Sequence, residues 1–527
     1  MNHLPVCMVL LPMFTAVMCL WLGEATRSPF TQRWTGLLGM SLLLGLSVWM
    51  LSLSADGQVF VYRLGNWPAP FAITLVVDRL SATMVALTVV LALVVLLAAW
   101  GGDDTRGPYF HPLVHLQVMG LCGAFMTGDL FNLFVFFEIL LIASYALLVY
   151  GGGPARVRAT LHYVVLNLVG SALFLLSVGL LYGTLGTLNM ADMAAKVATA
   201  TSADVPLIRA AAGLLLVVFG LKAAIVPMSL WLPSTYEAAT TPVSAFFAIM
   251  TKVGIYGIIR VFIPLFGPEQ PGVGGVAEPW VGGLGLVTLL VGTLGTLAAT
   301  DLKNTVSFLI VVSVGLQAIS LGQFTEAGLA AAIFYIVHST FLTAGLFLMA
   351  GAIIHQRGEL GGRLSAGPVV HQGRALAVLF LIAAMSVVGL PPLSGFISKA
   401  LILSATPSEM RPAVWGIILS TSFLLLVQLA RVGSVLFWNV LAREPKGCPP
   451  GPNASLGPAI FLMSASLLIA LFAGPIDAFT REAAASVYDR ETMIERVLRS
   501  RSDSKAPNGL SEGGDARVRR PGEEDTP

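Results

Sequence analysis

The chain has 527 residues, of which 56% are hydrophobic and only 11% are charged. Soluble proteins carry about a quarter charged residues, so this composition excludes a water-soluble globular protein and favours a membrane protein. The formal net charge of +2 is too small to provide the basic surface that a nucleic-acid partner requires.

Apolar runs of about 20 residues, the length that crosses a bilayer as a helix, recur along most of the chain. They predict an all-α polytopic membrane protein with about 14 transmembrane helices. The first run follows no Lys or Arg and precedes no convincing signal-peptidase site, so we interpret it as a membrane helix. The predicted spans are residues 4–22, 35–54, 73–100, 112–128, 130–150, 161–183, 207–231, 241–264, 279–299, 304–322, 327–354, 375–404, 413–440 and 456–478.

Basic residues between these spans predict the orientation, because cytoplasmic loops are enriched in Lys and Arg. Loops after odd-numbered spans hold eleven basic residues, and loops after even-numbered spans hold at most six. We therefore expect both termini on the external side. The first group is Arg27, Arg33, Arg106, Arg156, Arg158, Lys303, Arg357, Arg363, Arg374, Arg443 and Lys446; the second is Arg63, Arg79, Lys196, Arg209, Arg260 and Arg411.

The C-terminal residues, 481–527, differ sharply in composition from the apolar spans. Residues 482–500 have a helix-forming composition that suits the protein surface, and the remainder is too polar to form a core, so we predict a largely disordered tail. The four cysteines are scattered without C-x-x-C spacing, which argues against zinc, iron–sulfur or thiol redox chemistry. No metal site and no cofactor are predicted.

Among the ionisable residues inside predicted spans, where a charge is costly and usually functional, six are singled out as candidates. Three lysines and one glutamate do not balance, which argues against purely structural ion pairs. Burial disfavours the ammonium form of an amine, and a nearby carboxylate favours it, so a lysine inside the membrane can gain and lose a proton. The six residues are Glu138, Lys222, Lys252, His338, Lys399 and Arg431.

Structural interpretations of these residues remain open at this point. Glu138 and Lys222 are compatible with a buried structural pair, and Lys399 with a side chain that extends to the membrane surface. His338 is either a hydrogen-bonded core histidine or a relay group. Arg431 does not lose its proton, so it is a candidate for tuning the field of a neighbour but not for carrying protons.

Prolines interrupt two of the predicted spans close to a lysine. Pro227 follows Lys222 by five residues, and Pro391 and Pro392 precede Lys399. A proline leaves the carbonyl four residues earlier without its helical partner. Interrupted helices in the two halves of a transporter are a pointer to an ion site near the middle of the membrane. We therefore predict helix breaks at these three prolines.

Several of these segments resemble a known family. The stretch GLKAAIVPMSLWLPSTYEAATTPVSAFFAIMTKVGIYGIIRVF is similar to the hallmark segment of the antiporter-like subunits that respiratory complex I, membrane-bound hydrogenases and Mrp-type sodium/proton antiporters share. DLFNLFVFFEILLIASYALLVYGG, DLKNTVSFLIVVSVG and GLPPLSGFISKALIL match further family segments. The resemblance covers about residues 70–440. Length and the lysine at position 399 favour the D-subunit branch of the Mrp-type antiporters.

The resemblance implies two inverted five-helix repeats, helices 4–8 and 9–13, each with one interrupted helix. The corresponding divisions are residues 1–110 for helices 1–3, 111–264 and 265–440 for the repeats, 441–480 for helix 14, and 481–527 for the tail. It also implies a bacterial inner-membrane protein with a proton path along the membrane plane. By motif, Glu138 and Lys222 resemble the switching pair, Lys252 the central lysine, His338 the relay and Lys399 the terminal lysine.

The function that follows is proton translocation within a multisubunit Na⁺ or K⁺/proton antiporter, with sister membrane subunits as partners. The resemblance therefore implies a secondary transporter subunit and not an enzyme. The alternative is a proton-pumping subunit of a complex I-type quinone oxidoreductase or a membrane-bound hydrogenase, whose redox chemistry would belong to other subunits. A third possibility, an assembly scaffold that conducts nothing, is disfavoured because all five proton-path residues are retained.

Overall fold

Helices account for nearly all regular structure in a computed structural model that describes residues 3–67, 70, 71, 73–368, 370, 372–441 and 456–498. The helices are α1 Leu4–Thr26, α2 Pro29–Ala55, α3 Arg79–Ala99, α4 Phe110–Met126, α5 Leu130–Val149, α6 Pro154–Leu185, α7 Met190–Val197, α8 Val205–Ala223, α9 Trp231–Ala238, α10 Thr241–Phe246, α11 Met250–Phe262, α12 Glu278–Ala298, α13 Leu302–Leu321, α14 Glu326–Arg357, α15 Gly373–Val388, α16 Ser394–Ala405, α17 Arg411–Gly433, α18 Gly457–Leu471, α19 Ala473–Tyr488 and α20 Arg490–Leu498. The strands are β1 Phe60–Arg63, β2 Thr74–Val77, β3 Gly367–Pro368 and β4 Val440–Leu441.

The all-α polytopic class is confirmed. Within the described residues, 11 helical segments are long and apolar enough to cross a membrane, or 12 if α18 and α19, which meet at 85°, form one bent span. Three shorter apolar helices, α4, α15 and α16, fall below the length of a complete span. The predicted run 375–404 overlaps both α15 and α16, because hydropathy alone does not reveal a break between two apolar helices. The number of about fourteen spans stays a prediction.

Polar residues immediately before apolar runs begin several of these helices. A side-chain oxygen at this position accepts a hydrogen bond from a backbone N–H that the first helical turn leaves unpaired. Asp78 and Ser81 form a reciprocal capping box at α3, and Asp129 accepts from the Asn132 N–H at 2.7 Å to cap α5. Asp301 caps α13 in the same way through the Lys303 N–H at 2.8 Å.

The connections between spans gather at two opposite ends of the bundle. At one end, the hairpin β1–β2 is bridged to residues 127–129, and these are bridged to residue 189. Residues 56–67, 70, 71, 73–78, 127–129, 186–204, 263–277 and 472–498 lie at this end, which we call the hairpin face. At the other end, a bridge joins Asp301 to Arg363, and Arg33 pairs with Asp104 at 2.5 Å.

The last described helices fold back over the hairpin face. Helix α19 packs against α3 and α14, and α20 packs against α7. The predicted helix-forming segment 482–500 therefore contains the end of α19 and all of α20. The rest of the predicted tail, residues 499–527, lies outside the described residues, as do Arg443, Lys446 and Cys448.

Candidate functional site

The first interrupted span ends beside Lys222. Helix α8 stops at Ala223, the next residue adopts a left-handed conformation, and α9 begins at Trp231, so Pro227 lies between the two helices. The indole Nε1 of Trp231 donates a hydrogen bond to the Leu221 carbonyl at 3.1 Å. The same carbonyl accepts from the Ala224 N–H at 3.1 Å, so the indole adds a side-chain donor to the last turn of α8, where the regular helical pairing ends.

The second interrupted span is closed by a lysine. Helix α15 stops at Val388, and α16 begins at Ser394, beyond Pro391 and Pro392. The buried Lys399 amine donates to the Val388 carbonyl at 2.8 Å and to the Ser422 hydroxyl at 2.7 Å. Val388 precedes Pro392 by four residues, so its carbonyl is the one that this proline deprives of a helical donor. The side chain of Lys399 therefore bonds within the bundle and does not extend to the membrane surface.

Helix α6 lies between the two members of the predicted switching pair. The half-buried Glu138 carboxylate accepts a hydrogen bond from Ser171, and the Lys222 amine donates to the Asn167 amide oxygen at 3.1 Å. Both residues are described, and no ion pair within 4 Å joins them, although they are near enough to interact electrostatically. Asn167 and Ser171 are four residues apart and so share one face of α6; sequence reasoning missed them, although two polar residues at this spacing in an apolar span were a usable signal.

Lys252 is completely buried near the start of α11. Its amine lies 3.4 Å from the hydroxyl of the adjacent Thr251, and the described residues place no carboxylate within ion-pair distance. Nearby, the Gln117 amide donates to the Met250 sulfur at 3.0 Å, while the buried Gln117 oxygen has no hydrogen-bond partner among the described residues. Lys252 therefore lies in an interior that contains polar atoms but no fixed counter-charge.

His338 is linked to the second interrupted span by hydroxyl groups. Its Nδ1 lies 2.8 Å from the Ser394 hydroxyl at the start of α16. Ser394 and Ser386 each contact Ser466, at 2.8 Å and 2.5 Å. On the neighbouring residue of α14, the Ser339 hydroxyl accepts from the Gln317 amide at 3.0 Å. These serines were not predicted, because a serine in an apolar span is too common to mark a site.

The predicted residues other than Arg431 form a row across the bundle. Successive helices in the order α5, α6, α8, α11, α13, α14 and α16 pack against one another. Glu138, Lys222, Lys252, His338 and Lys399 lie on five of these helices. Arg431 differs, since its side chain is exposed in the last turn of α17.

Buried charges outside the predicted site lie toward the ends of the bundle. Arg260, near the end of α11, pairs with Asp78. At the opposite end, the Lys303 amine donates to the carbonyls of Glu237 and Ala239, at the end of α9. Arg33 donates to Asp104 through two nitrogens, at 2.5 and 2.7 Å. Among the described residues, no group of three or more His, Cys, Asp or Glu side chains is placed to hold a metal ion.

The bundle and its two lysine-bearing helix breaks define a polytopic membrane protein of the antiporter-like class. The sequence profile of the family described as "NADH:quinone oxidoreductase/Mrp antiporter, TM" matches residues 127–425. The chain belongs to this family.

Named relatives are similar over almost their whole length. The D subunit of a probable K(+)/H(+) antiporter of Rhizobium meliloti is 36% identical, over 94% of this chain and 98% of the relative. The D subunit of a Na(+)/H(+) antiporter of Bacillus subtilis is 32% identical, over 95% of this chain and 100% of the relative. This similarity agrees with the D-subunit resemblance of the sequence motifs.

Solved structures share the fold. A chain of the Mrp complex from Dietzia sp. superposes with a TM-score of 0.83 and 28% identity, over 94% of this chain and 99% of that chain. A chain of respiratory complex I from Thermus thermophilus superposes with a TM-score of 0.76 and 24% identity, over 92% of this chain and 99% of that chain. The second similarity concerns the fold alone.

Proposed function

We propose that this chain is the proton-translocating membrane subunit of a multisubunit antiporter that exchanges cytoplasmic Na⁺ or K⁺ for external protons. The observation that carries the proposal is the row of buried amines and one imidazole on successively packed helices, with two of the amines at helix breaks. The names of the relatives support the role of a D subunit in a complex with sister membrane subunits.

The row supplies groups that can change their charge. A low-dielectric interior disfavours an ammonium group, whereas a nearby carboxylate favours it. Movement of Glu138 relative to Lys222 would therefore change how readily that amine holds a proton. Since Asn167 and Ser171 bond the two residues from one face of α6, a small displacement of this helix alters both contacts together.

The proton path then continues through the second half of the bundle. Lys252 receives the proton under the control of the Glu138–Lys222 pair and passes it through internal water to His338. The His338 imidazole then transfers the proton past the Ser394 hydroxyl to Lys399. Lys399 releases the proton. The 2.8 Å contact between His338 and Ser394 supports this order, because Ser394 begins the helix that carries Lys399.

The orientation and repeat boundaries are part of the same proposal. In a bacterial inner membrane, the hairpin face would be external, with both termini on that side. The face opposite the hairpin carries Arg33, Arg106, Arg156 and Lys303, in keeping with the enrichment of basic residues in cytoplasmic loops. Residues 111–264 and 265–440 would be the two inverted repeats, and the presence of one interrupted span in each supports this division.

Substitution of the row tests the function. In everted vesicles that contain the whole complex, Lys252→Ala and Glu138→Ala should each abolish cation-dependent proton movement, because each removes a titratable group from the path. Co-purification of the sister subunits checks that the complex still assembles. Lys196→Ala, which removes an exposed amine on α7, is the matched control and should transport normally. Wild-type exchange in either test variant would refute the scheme.

The alternative function is that of a proton-pumping subunit in a complex I-type oxidoreductase or a membrane-bound hydrogenase. The fold is shared with a chain of complex I and with a chain of an Mrp complex, so the fold does not separate the two functions. Purification of the native complex and mass identification of its members distinguish the two. Small membrane subunits alone support the antiporter, whereas iron–sulfur and NADH-binding subunits support the oxidoreductase.

A further inference from the structure

A cavity of about 600 Å³ opens in the hairpin face. The ends of α2 and α11, the start of α3 and the helices α19 and α20 surround it. Asp78, Tyr256 and Arg260 lie on the bundle side of the cavity, and Glu482 and Met493 lie on the opposite side. Its volume is in the range of functional pockets, and none of the sequence predictions assigned it a role.

The residues on the bundle side form a continuous hydrogen-bonded unit. Arg260 pairs with Asp78, and its Nε donates to the Tyr256 hydroxyl at 2.8 Å. Tyr256 in turn donates to the Phe125 carbonyl at 2.5 Å. The guanidinium group is thus held in one position, with its charge balanced by Asp78, and it fixes the Tyr256 hydroxyl at the wall of the cavity.

This unit shares one face of α11 with Lys252. Lys252, Tyr256 and Arg260 are spaced four residues apart, so they lie on one side of the helix at intervals of about 6 Å along its axis. Side chains of a helix lean toward its N-terminus, and the contact from Arg260 to Tyr256 follows that direction. Arg260 and Tyr256 therefore lie along α11 between the cavity and Lys252.

Polar atoms without protein partners also line the cavity. Ser54 is completely buried, and its hydroxyl has no hydrogen-bond partner among the described residues. The Nε of Arg79 is also buried without a hydrogen-bond partner among the described residues, while the Nη2 of the same side chain donates to the Ala55 carbonyl and pairs with Glu482. Buried polar groups of this kind are normally satisfied by ordered water, and this cavity is large enough to hold it.

The C-terminal helices cover the cavity through a few polar contacts. Arg79 pairs with Glu482 on α19 at 2.6 Å. Arg63 on the hairpin donates to the Val497 carbonyl at 2.6 Å, and Arg490 donates to the Ala194 carbonyl. The Arg63 and Arg490 contacts are partly buried, whereas the Glu482 side chain is largely exposed, so the cavity lies beside a polar group that water can reach.

We propose that this cavity is a water-filled vestibule through which protons reach Lys252 from the hairpin face, with Arg260 and Asp78 as positioning residues for the Tyr256 hydroxyl. The inference rests on the proposed function, since it assigns the entry side of the same path. It gives the C-terminal helices a role as the outer wall of that entry.

Cysteine accessibility tests the vestibule in the whole complex, in vesicles of both orientations. The background carries serine in place of Cys7, Cys19, Cys122 and Cys448. Val76→Cys, at a partly exposed position of β2 in the cavity lining, tests the inner wall, and Ser486→Cys, on α19, repeats the test on the outer wall. Ser202→Cys, an exposed loop position on the same face and outside the cavity, is the control that reports which side of the vesicle the face occupies. The probe is the membrane-impermeant sulfonatoethyl methanethiosulfonate.

Both cavity cysteines should react from the side that labels Ser202→Cys, and labelling should lower exchange to the level of Lys252→Ala. Labelling of the Ser202→Cys control should leave exchange unchanged. Cavity cysteines that stay unmodified while the control reacts, or that react without loss of exchange, would overturn the proposal. Modification is read by mass and needs no transport, so absence of exchange in the unlabelled background would instead count against the proposed function.

Discussion

At the residue scale, arginine and lysine are used differently in this protein. Arg33 and Arg260 each pair with a buried aspartate. The amines of Lys222, Lys252 and Lys399 instead bond neutral partners: an amide oxygen, hydroxyl groups and a carbonyl. A guanidinium keeps its proton, whereas a buried amine responds to its surroundings. Permanent charges are therefore neutralised at the ends of the bundle, and the groups that can change charge occupy its interior.

The aspartate that binds Arg33 gives a prediction for acid stability. Burial alone would raise the pKa of Asp104, but hydrogen bonds from His111 and Arg33 outweigh burial and hold the pKa below its ordinary value. The folded protein thus favours the ionised carboxylate. The resulting contribution to the free energy of unfolding is complete above about pH 4, and it is lost as the pH falls through the lowered pKa.

Asp104→Asn should therefore destabilise the complex most at neutral pH. Breaking a buried ion pair costs about 3–5 kcal/mol, and partial exposure of Arg33 places the expected loss at the lower end. Thermal unfolding at pH 7 and pH 3 measures it, and the difference from wild type should shrink at pH 3. Asp192→Asn, which removes a helix-surface pair with Lys196 at 3.2 Å, should cost about 0.5 kcal/mol or less. An equal loss from Asp104→Asn at both pH values would contradict the assignment.

At the element scale, the sequence predicts where helices break, but it does not predict which distant residues pair in the folded bundle. Pro227, Pro391 and Pro392 lie between helix ends, because a missing N–H acts on the chain next to it. The side chains that donate to carbonyls at the broken ends, those of Trp231 and Lys399, were not predicted to do so. The Arg260–Asp78 pair joins residues 182 positions apart, and no hydropathy or spacing pattern connects such distant positions.

Close packing of α11 on α8 is a second feature of this scale. A Cβ atom added at Gly254 would lie 2.7 Å from the Phe219 carbonyl oxygen and 2.8 Å from the Ala223 Cα. Both neighbours are backbone atoms, so they cannot give way by rotation of a side chain. The glycine thus lets Lys252, two residues earlier on α11, approach the break at the end of α8.

Gly254→Ala should push the two helices apart, at a cost of about 1–3 kcal/mol for overpacking. We expect a lower melting temperature of the complex and slower exchange, because Lys252 moves relative to Lys222. Gly213→Ala, on α8, is the control, since an added Cβ there meets nothing within 4 Å. Normal exchange and normal melting in Gly254→Ala would show that the close approach is dispensable.

At the scale of the whole molecule, the order in which the helices pack places polar residues of separate helices in one row. The family resemblance named five of its members; four of them fall inside the quoted family segments, and His338 lies outside those segments. Asn167, Ser171 and the serine cluster around Ser466 complete the row through contacts between separate helices. Arg431 has the same intramembrane sequence signature as the lysines, yet it is exposed on α17. Position within an apolar run does not determine which side of a helix faces the bundle.

The central claim is that a buried amine in this row carries protons by changing its own charge, and Lys252→Arg tests it most directly. Arginine preserves the positive charge but does not release a proton. Proton uptake into proteoliposomes of the purified complex, driven by a Na⁺ or K⁺ gradient, is the measurement, with co-purified sister subunits as the check on assembly. The account predicts an assembled complex whose proton uptake is as low as that of Lys252→Ala. Uptake at the wild-type rate in Lys252→Arg would contradict it.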